Sequence, residues 1–302
     1  MRTHLLVALA VVGSGCSLDR IILDGTVKST RDAASAFDTL SDLEVAKAGA
    51  AASLVQLEGM QKLAPDNEDA LFLLCQSWTG FGGAFIEDDW EQAYDRGDDD
   101  REVFEANRAK EAYDRAVKFG TLLLEQRRPG FVAAQKSYDT LKAYLAKFEK
   151  VDAEPLLWMG LAWLSRGGVA AERPEIVADL YVGVALVERS VELDDSLAWQ
   201  NGRAALGAYH ARAPDAELKD AKVLFEAALT KTARRALMLQ VMYAQNYACQ
   251  ARDEKLYRSL LEEVLAAPMD LLPEQRLETV IAKRKAQRYL GAPRLKRCGF
   301  NP

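Results

Sequence analysis

Residues 206–228, LGAYHARAPDAELKDAKVLFEAA, decide the fold class. The first half of this stretch has the pattern Leu206-Gly207-x-x-His210, and the second half has the pattern Ala221-x-x-x-Phe225-x-x-Ala228. The apolar spacing is helical in both halves, and the small residues stand where two packed helices would touch. The stretch therefore predicts a helical hairpin.

The same pattern recurs in three less regular copies. A unit of about 34 residues with bulky and small residues in this order is typical of the tetratricopeptide repeat. The copies are Leu71-x-x-Leu74-Cys75-x-x-Trp78 with Ala109-x-x-x-Tyr113-x-x-Ala116, Leu156-x-x-Met159-Gly160-x-x-Trp163 with Gly183-x-x-x-Val187-x-x-Ser190, and a helix from about Leu237 with Tyr257-x-x-x-Leu261-x-x-Val264. We predict an all-α protein in which residues 41–290 form a tetratricopeptide-like helical-hairpin solenoid of about four degenerate repeats.

Two insertions interrupt these repeats. One lies between Trp78 and Ala109, and the other lies between Trp163 and Gly183. Each joins the first helix of a hairpin to the second, so both insertions should leave the solenoid on the same rim. Insertions on one rim often carry the function of such folds.

Local patterns also predict how the helical region begins and ends. In Ser41-Asp42-Leu43-Glu44, Glu44 follows the hydroxyl by three places, which predicts a helix start, and this helix should end at about Leu63. A basic helix after Pro273 is expected to cap the solenoid. Residues 291–302 are expected to form a loosely held tail.

The amino terminus has the pattern of an export signal. A short basic start, an apolar run of eight residues and Gly13-Ser14-Gly15 precede Cys16, and the run is too short to span a bilayer. This arrangement resembles the bacterial lipobox, with Gly13 in the place where Leu is usual. It predicts a signal peptide over residues 1–15, lipidation of Cys16, and a lipid anchor and tether over residues 16–40. Ser17 favours the outer membrane, and a cleaved, unlipidated secreted protein is the alternative.

Composition argues against several classes of function. The net charge is −6, which disfavours nucleic acid as a partner, and the chain has only two histidines, His4 and His210. No nucleophile elbow, zinc-protease motif or phosphate loop is present. We therefore predict a non-enzymatic protein without a cofactor or bound metal. The cysteines Cys75 and Cys249 lie in helical stretches and are interpreted as small core residues.

Several segments together resemble one protein family. They are Leu63-Ala64-Pro65-Asp66-Asn67, the run from Trp78 to Asp89, Arg128-Pro129-Gly130-Phe131, Glu154 to Trp163, Leu206 to Arg212, Tyr243-Ala244 and Gln275-Arg276-Leu277. In this order they resemble the T component of tripartite ATP-independent periplasmic (TRAP) transporters over roughly residues 40 to 290. The resemblance implies a periplasm-facing lipoprotein that self-associates as a trimer with a pore or cleft. It also implies a periplasmic substrate-binding protein as partner and import of an organic acid or another small ligand.

Aromatic residues from successive repeats are candidates for a ligand groove. Such a groove would suit an apolar or amphipathic ligand, with His210 and Asn246 as polar groups. Plain core packing is the alternative for Trp163 and His210, whereas Phe81, Phe85 and Trp158 lie off the usual core positions. The candidate ligand-binding residues are Phe81, Phe85, Trp158, Trp163, Tyr209, His210, Tyr243 and Asn246.

The first insertion is strongly acidic. It carries ten carboxylates between Glu87 and Glu105. A solvated rim, a docking surface for a basic partner and a weak calcium site are the three interpretations, and the EF-hand spacing fails because Val103 stands where glycine is needed. The candidate docking residues are Asp88, Asp89, Asp98, Asp99 and Asp100.

Two functions from different classes follow from these observations. The first is a binding lipoprotein of TRAP-type transport, attached to the membrane through its lipid only. The second is a structural tetratricopeptide lipoprotein that binds only proteins during cell-envelope assembly. An enclosed aromatic cleft would favour the first function, and an open polar groove would favour the second.

Overall fold

A computed structural model describes residues 18–170, 173–212 and 218–302. The described chain is helical and contains no strand, which confirms the predicted all-α class. The α-helices are α1 (Leu18–Ala33), α2 (Leu43–Leu63), α3 (Glu68–Phe81), α4 (Glu87–Arg96), α5 (Asp99–Arg127), α6 (Phe131–Ala134), α7 (Tyr138–Leu145), α8 (Ala153–Val169), α9 (Pro174–Ala178), α10 (Leu180–Leu193), α11 (Asn201–Arg212), α12 (Leu218–Lys231), α13 (Leu237–Met242), α14 (Glu254–Ala266), α15 (Arg276–Tyr289) and α16 (Ala292–Arg297). Short 3₁₀ segments are Ala34–Thr39, Lys150–Asp152, Leu197–Gln200 and Pro273–Gln275, and π-helical turns are Gly82–Ile86 and Tyr243–Ala248.

The helices pack as successive pairs. α3 packs on α5, α8 on α10, α11 on α12, and α13 with its following π turn on α14. Each pair also contacts the next, through α5 and α8, through α10 and α11, and through α11 and the second π turn. The two predicted insertions contain α4 and α9. The pairs therefore stack into a helical solenoid.

Glycines allow the paired helices to approach closely. A Cβ atom on Gly160 would lie 2.5 Å from Cγ2 of Val187 and 3.0 Å from the backbone oxygen of Gly183. In the next pair, a Cβ on Gly207 would lie 3.0 Å from the ring of Phe225. Because a close-packed interior has no room for such an atom, glycine sets the distance between these helices.

The first predicted helix starts one residue later than expected. Asp42, rather than Ser41, caps α2: its carboxylate accepts hydrogen bonds from the backbone N–H groups of Glu44 at 3.0 Å and Val45 at 3.1 Å. A carboxylate satisfies free N–H groups at a helix start as a hydroxyl does, and its charge favours the positive end of the helix. The predicted end at Leu63 agrees with the structure.

The described part of the predicted tether is a docked helix. In α1 the side chain of Val27 is fully buried, and Arg31 forms ion pairs with Asp69 at 2.5 Å and with Glu154 at 3.3 Å. Residues 18–33 therefore extend the folded body rather than linking it loosely. The sequence predicted a tether here because the residues that hold α1 in place, such as Asp69 and Glu154, lie far away along the chain. Cys16 and the predicted signal peptide lie outside the described residues.

The carboxyl terminus closes the solenoid on itself. α15 packs against α2 and the Ala34–Thr39 segment, and α16 contacts α4. A disulfide joins Cys249 to Cys298, and Phe300 packs edge-on against Tyr257 with ring centroids 5.2 Å apart. The predictions of a loose tail and of Cys249 as a plain core residue are therefore wrong. The partner of Cys249 stands 49 residues further on in a polar segment, where no local pattern marks it.

Candidate functional site

The closed solenoid surrounds one large cavity. Its volume is about 2110 Å³, and its wall includes residues of α3, α8, α11, α13 and α15. Pockets for small ligands usually measure about 300–1,000 Å³. The cavity therefore has room for a small organic molecule together with water.

Five of the eight predicted ligand-binding residues line this cavity. Phe81 precedes the first π turn and Phe85 lies within it, and their ring centroids lie 5.6 Å apart. Trp158 comes from α8, Tyr209 comes from α11, and Asn246 lies in the second π turn. The aromatic residues of separate hairpins thus converge on one cavity.

The other three predicted residues do not lie in the wall. Trp163 is 5% exposed and packs edge-on against Phe131, and Tyr243 is 2% exposed and stacks on Phe225 at 4.9 Å. Trp163 follows Trp158 by five positions in the helix, and this spacing turns the second ring about 140° away from the first. His210 follows Tyr209 directly and is turned about 100° from it. The structure therefore does not support Trp163, His210 and Tyr243 as residues of the cavity wall.

The two π turns are features of the cavity wall that the sequence patterns did not predict. Gly82–Ile86 continues α3 into α4, and a Cβ on Gly82 would lie 2.9 Å from the ring of Tyr113. Both π turns supply residues to the cavity, and such turns are frequent at functional sites. Gly82 thus allows a close approach between the first π turn and α5.

A strained segment also borders the cavity. Ala198, Trp199 and Gln200 have φ angles of 44°, 50° and 71°, and the first two line the wall. Residues other than glycine avoid this left-handed region, and such strain clusters at functional sites. Trp199 was missed as a candidate because it stands outside the repeat pattern.

A buried ion-pair network closes the wall between α4 and α15. Glu91 accepts hydrogen bonds from Lys285 at 3.1 Å and from the Tyr289 hydroxyl at 2.7 Å, and it also pairs with Arg288 and Arg294. Burial alone would raise the pKa of Glu91, but the charges of Lys285, Arg294 and Arg288 outweigh it and lower the pKa to about 2. The carboxylate of Glu91 is therefore ionised and fixed in place.

Comparison with known families agrees with this architecture. The family model described as TRAP transporter T-component matches residues 39–293. The chain belongs to the TRAP transporter T-component family. No curated protein matches the chain significantly. The family has a non-catalytic role in TRAP transport and works in association with other components of such transporters.

Most of the ion pairs of the acidic insertion join it to other helices of this T component. Asp88 is buried and pairs with Arg288 at 2.6 Å, and Asp89 pairs with Lys47 at 2.7 Å. Because Asp88 is buried in this ion pair, the docking prediction is wrong for Asp88, whereas it stays a prediction for the half-buried Asp89. It remains a prediction for the exposed residues Asp98, Asp99 and Asp100, of which Asp98 also caps α5.

Asp95 of the same insertion explains why α16 is held against α4. Its carboxylate lies 2.5 Å from Arg294, 3.3 Å from Arg288 and 3.7 Å from Arg297. A run of acidic residues in the sequence predicts a solvated rim. The sequence pattern does not show that Arg288, Arg294 and Arg297, far along the chain, neutralise this run in the folded protein. The network makes the insertion part of the ring of the T component.

The described part of the T component contains few groups suited to metal or thiol chemistry. No group of three or more His, Cys, Asp or Glu side chains is placed to hold a metal ion there. The one free cysteine in the same residues, Cys75, is buried, and burial raises the pKa of its thiol to about 12. Among the described residues, no helix is both long and apolar enough to cross a membrane.

Proposed function

We propose that this T component is a periplasm-facing lipoprotein that holds a small ligand in its central cavity during TRAP transport. In this account it exchanges the ligand with the periplasmic substrate-binding protein that serves the transporter. The observation that carries the proposal is the convergence of Phe81, Trp158 and Tyr209, from separate hairpins, on one cavity. A cavity of about 2110 Å³ lined by aromatic residues favours a ligand-binding protein over a scaffold that binds only proteins.

The proposed compartment is supported by the disulfide. Cys249 and Cys298 are bonded, and disulfides persist in oxidising compartments such as the bacterial periplasm. The signal-like residues before Cys16 and Ser17 after it agree with lipidation and with the outer membrane. We expect Cys16→Ala to release a folded protein from the membrane fraction, and an equally membrane-bound variant would contradict the anchor.

The proposed partner surface is the exposed acidic start of α5. Asp98, Asp99 and Asp100 project from the insertion and suit a basic patch on a substrate-binding protein. Self-association as a trimer belongs to the same proposal. Exchanging the three residues for asparagine should weaken capture of that protein and make the remaining binding less sensitive to salt.

The ligand itself is tested by native mass spectrometry of the lipid-anchored chain, purified gently from its own host. Gly80 lines the cavity, and a Cβ there meets no atom within 4 Å, so Gly80→Trp should add an indole to the wall next to Phe81 and narrow the cavity without disturbing α3. Gly25 of α1 is the matched control, because its Cβ also meets nothing within 4 Å and it does not line the cavity.

Two results of this experiment matter. The proposal predicts one reproducible small-molecule mass on the wild type and on Gly25→Trp, carried by a clearly smaller fraction of Gly80→Trp. A wild-type protein that carries no such mass, or equal occupancy in all three proteins, would contradict it. The first contrary result would favour the protein-binding scaffold.

A further inference from the structure

The carboxylates in the cavity wall differ in how they are neutralised. Six line the wall: Asp32, Asp38, Glu87, Glu91, Glu154 and Glu278. Asp32 pairs with Lys28, Glu154 with Arg31, and Glu91 with Lys285. Among the described residues the other three have no cationic partner within 4.0 Å. Of these, Glu87 still feels the charges of Lys285 and Arg212, and it accepts a hydrogen bond from the Tyr113 hydroxyl. Asp38 and Glu278 are left as the unbalanced pair.

These two carboxylates belong to elements that pack on each other. Asp38 lies in the Ala34–Thr39 segment, and Glu278 lies in the first turn of α15, which contacts that segment. Their polar neighbours are the amides of Gln275 and Asn201, which hydrogen-bond to Asp38 and Glu278 and carry no charge. In the part of the chain that the structure describes, the wall at this place therefore has two acidic groups and no basic group paired with them.

Both carboxylates have a raised pKa, because each is partly buried without a positive partner in the described chain. Burial raises the pKa of Asp38. Burial also raises the pKa of Glu278 to about 7, because the hydrogen bond from Asn201 offsets only part of it and the charge of Asp38 adds to it. An enclosed carboxylate without a counter-charge is costly, so a positive ligand placed here would be stabilised.

Aromatic rings stand beside the pair. Phe37 precedes Asp38 directly, and it packs in one apolar cluster with Phe81, Phe85 and Leu277. Leu277 is the neighbour of Glu278. Aromatic faces attract organic cations, and they also cover the apolar part of such a ligand.

We infer that the ligand carries an organic ammonium group, which binds between Asp38 and Glu278 with its apolar part against Phe37, Phe81 and Phe85. This inference rests on the proposed function, since it names the class of ligand for the same cavity. A ligand carboxylate finds no equivalent site, because the enclosed cations of the wall (Arg31, Lys285 and Arg294) are already paired. Arg212, Arg252 and Lys296 of the wall have no ion-pair partner among the described residues, and all three are exposed.

The test compares three probes of the same length that differ in charge: hexylamine, hexanoate and hexanol. Binding is measured by calorimetry at pH 8 on the full chain in lipid nanodiscs, with empty nanodiscs as the blank. At this pH Glu278 is largely ionised, because its pKa is about 7. We expect hexylamine to bind about tenfold or more tighter than hexanoate, as a charge contact and a cation–π contact together would give.

A double variant assigns the preference to the two carboxylates. Asp38→Asn with Glu278→Gln should weaken hexylamine about tenfold and leave hexanol unchanged, since only the charge contact is removed. Glu274→Gln is the matched control, because Glu274 lies one turn before Glu278, is exposed and does not line the cavity.

The contrary results separate this inference from the proposed function. Hexanoate binding as tightly as hexylamine, or hexylamine binding unchanged in the double variant, overturns the inference and leaves the cavity as a ligand site. If none of the three probes binds the wild type, both the inference and the ligand-holding function are contradicted.

Discussion

The ammonium group of Lys285 in α15 lies 3.1 Å from the carboxylate of Glu91 in α4, although 194 residues separate them in sequence. Both side chains are 9% exposed. This contact joins the first insertion to the last long helix, so it turns an open solenoid into a ring. The cavity depends on this closure because α15 forms one of its walls.

Removal of the carboxylate at position 91 should destabilise the protein strongly. Glu91→Gln leaves Lys285 buried without its counter-charge and removes one of the two acidic partners of Arg294, which costs about 3–5 kcal/mol of unfolding free energy. Chemical denaturation at pH 7 measures the loss. Asp100→Asn, an exposed acid of the same insertion, is the control and should change stability little. A Glu91→Gln protein as stable as the wild type would show that the network does not hold the ring.

Glu278 should make stability depend on pH in the opposite sense to most acids. Its pKa is about 7 in the folded state and 4.5 without the protein environment, so the folded state binds more protons between these values. Its contribution is full below about pH 4.5 and is lost as the pH rises through about 7. Glu278→Gln should therefore raise the melting temperature relative to wild type at pH 8 but not at pH 5. An equal shift at both pH values would refute the assignment.

Reduction of the disulfide should loosen the carboxyl terminus. The bond between Cys249 and Cys298 closes a loop spanning 49 positions, and loss of such a bond typically costs about 2–4 kcal/mol. We expect dithiothreitol to lower the melting temperature of the wild type and to speed proteolysis after α15. Cys298→Ser should already show both effects and should not respond further to the reductant. A wild type indifferent to reduction would mean that Arg294 and Phe300 hold the segment alone.

Two glycines of α8 should respond to alanine in opposite directions. Gly160→Ala places a methyl group 2.5 Å from Val187, and overpacking of this kind costs about 1–3 kcal/mol. At Gly168 a Cβ meets nothing within 4 Å, so alanine should stabilise the helix by up to about 1 kcal/mol. Thermal melts of both variants provide the comparison. Similar melting temperatures for the two variants would contradict the close approach of α8 and α10.

The sequence predicted the local architecture well because that architecture rests on short-range patterns. Gly160 and Gly207 stand where a packed neighbour leaves no room, and their spacing within each hairpin marks the helix pairs. Phe81 and Trp158 were favoured as ligand-facing because they lie off the core positions, and both line the cavity. Trp163 stands at a core position of the repeat, and its side chain is packed in the core against Phe131.

The remaining features depend on partners far apart in sequence. Nothing local to Glu91 or Asp88 shows that buried arginines will neutralise them, so the acidic insertion looked solvated. Val27 and the α1 segment looked like a linker for the same reason. The pair of Asp38 and Glu278 arises only when α15 closes the ring.

The central claim is that the closed ring of this T component encloses a small ligand. The most direct measurement is a crystal structure of the protein purified from its own host with no ligand added. The account predicts compact density in the cavity beside Phe81 and Glu278 that neither protein nor ordered water explains. A cavity that contains only water, in protein whose ring is closed through Glu91 and Lys285, would contradict it.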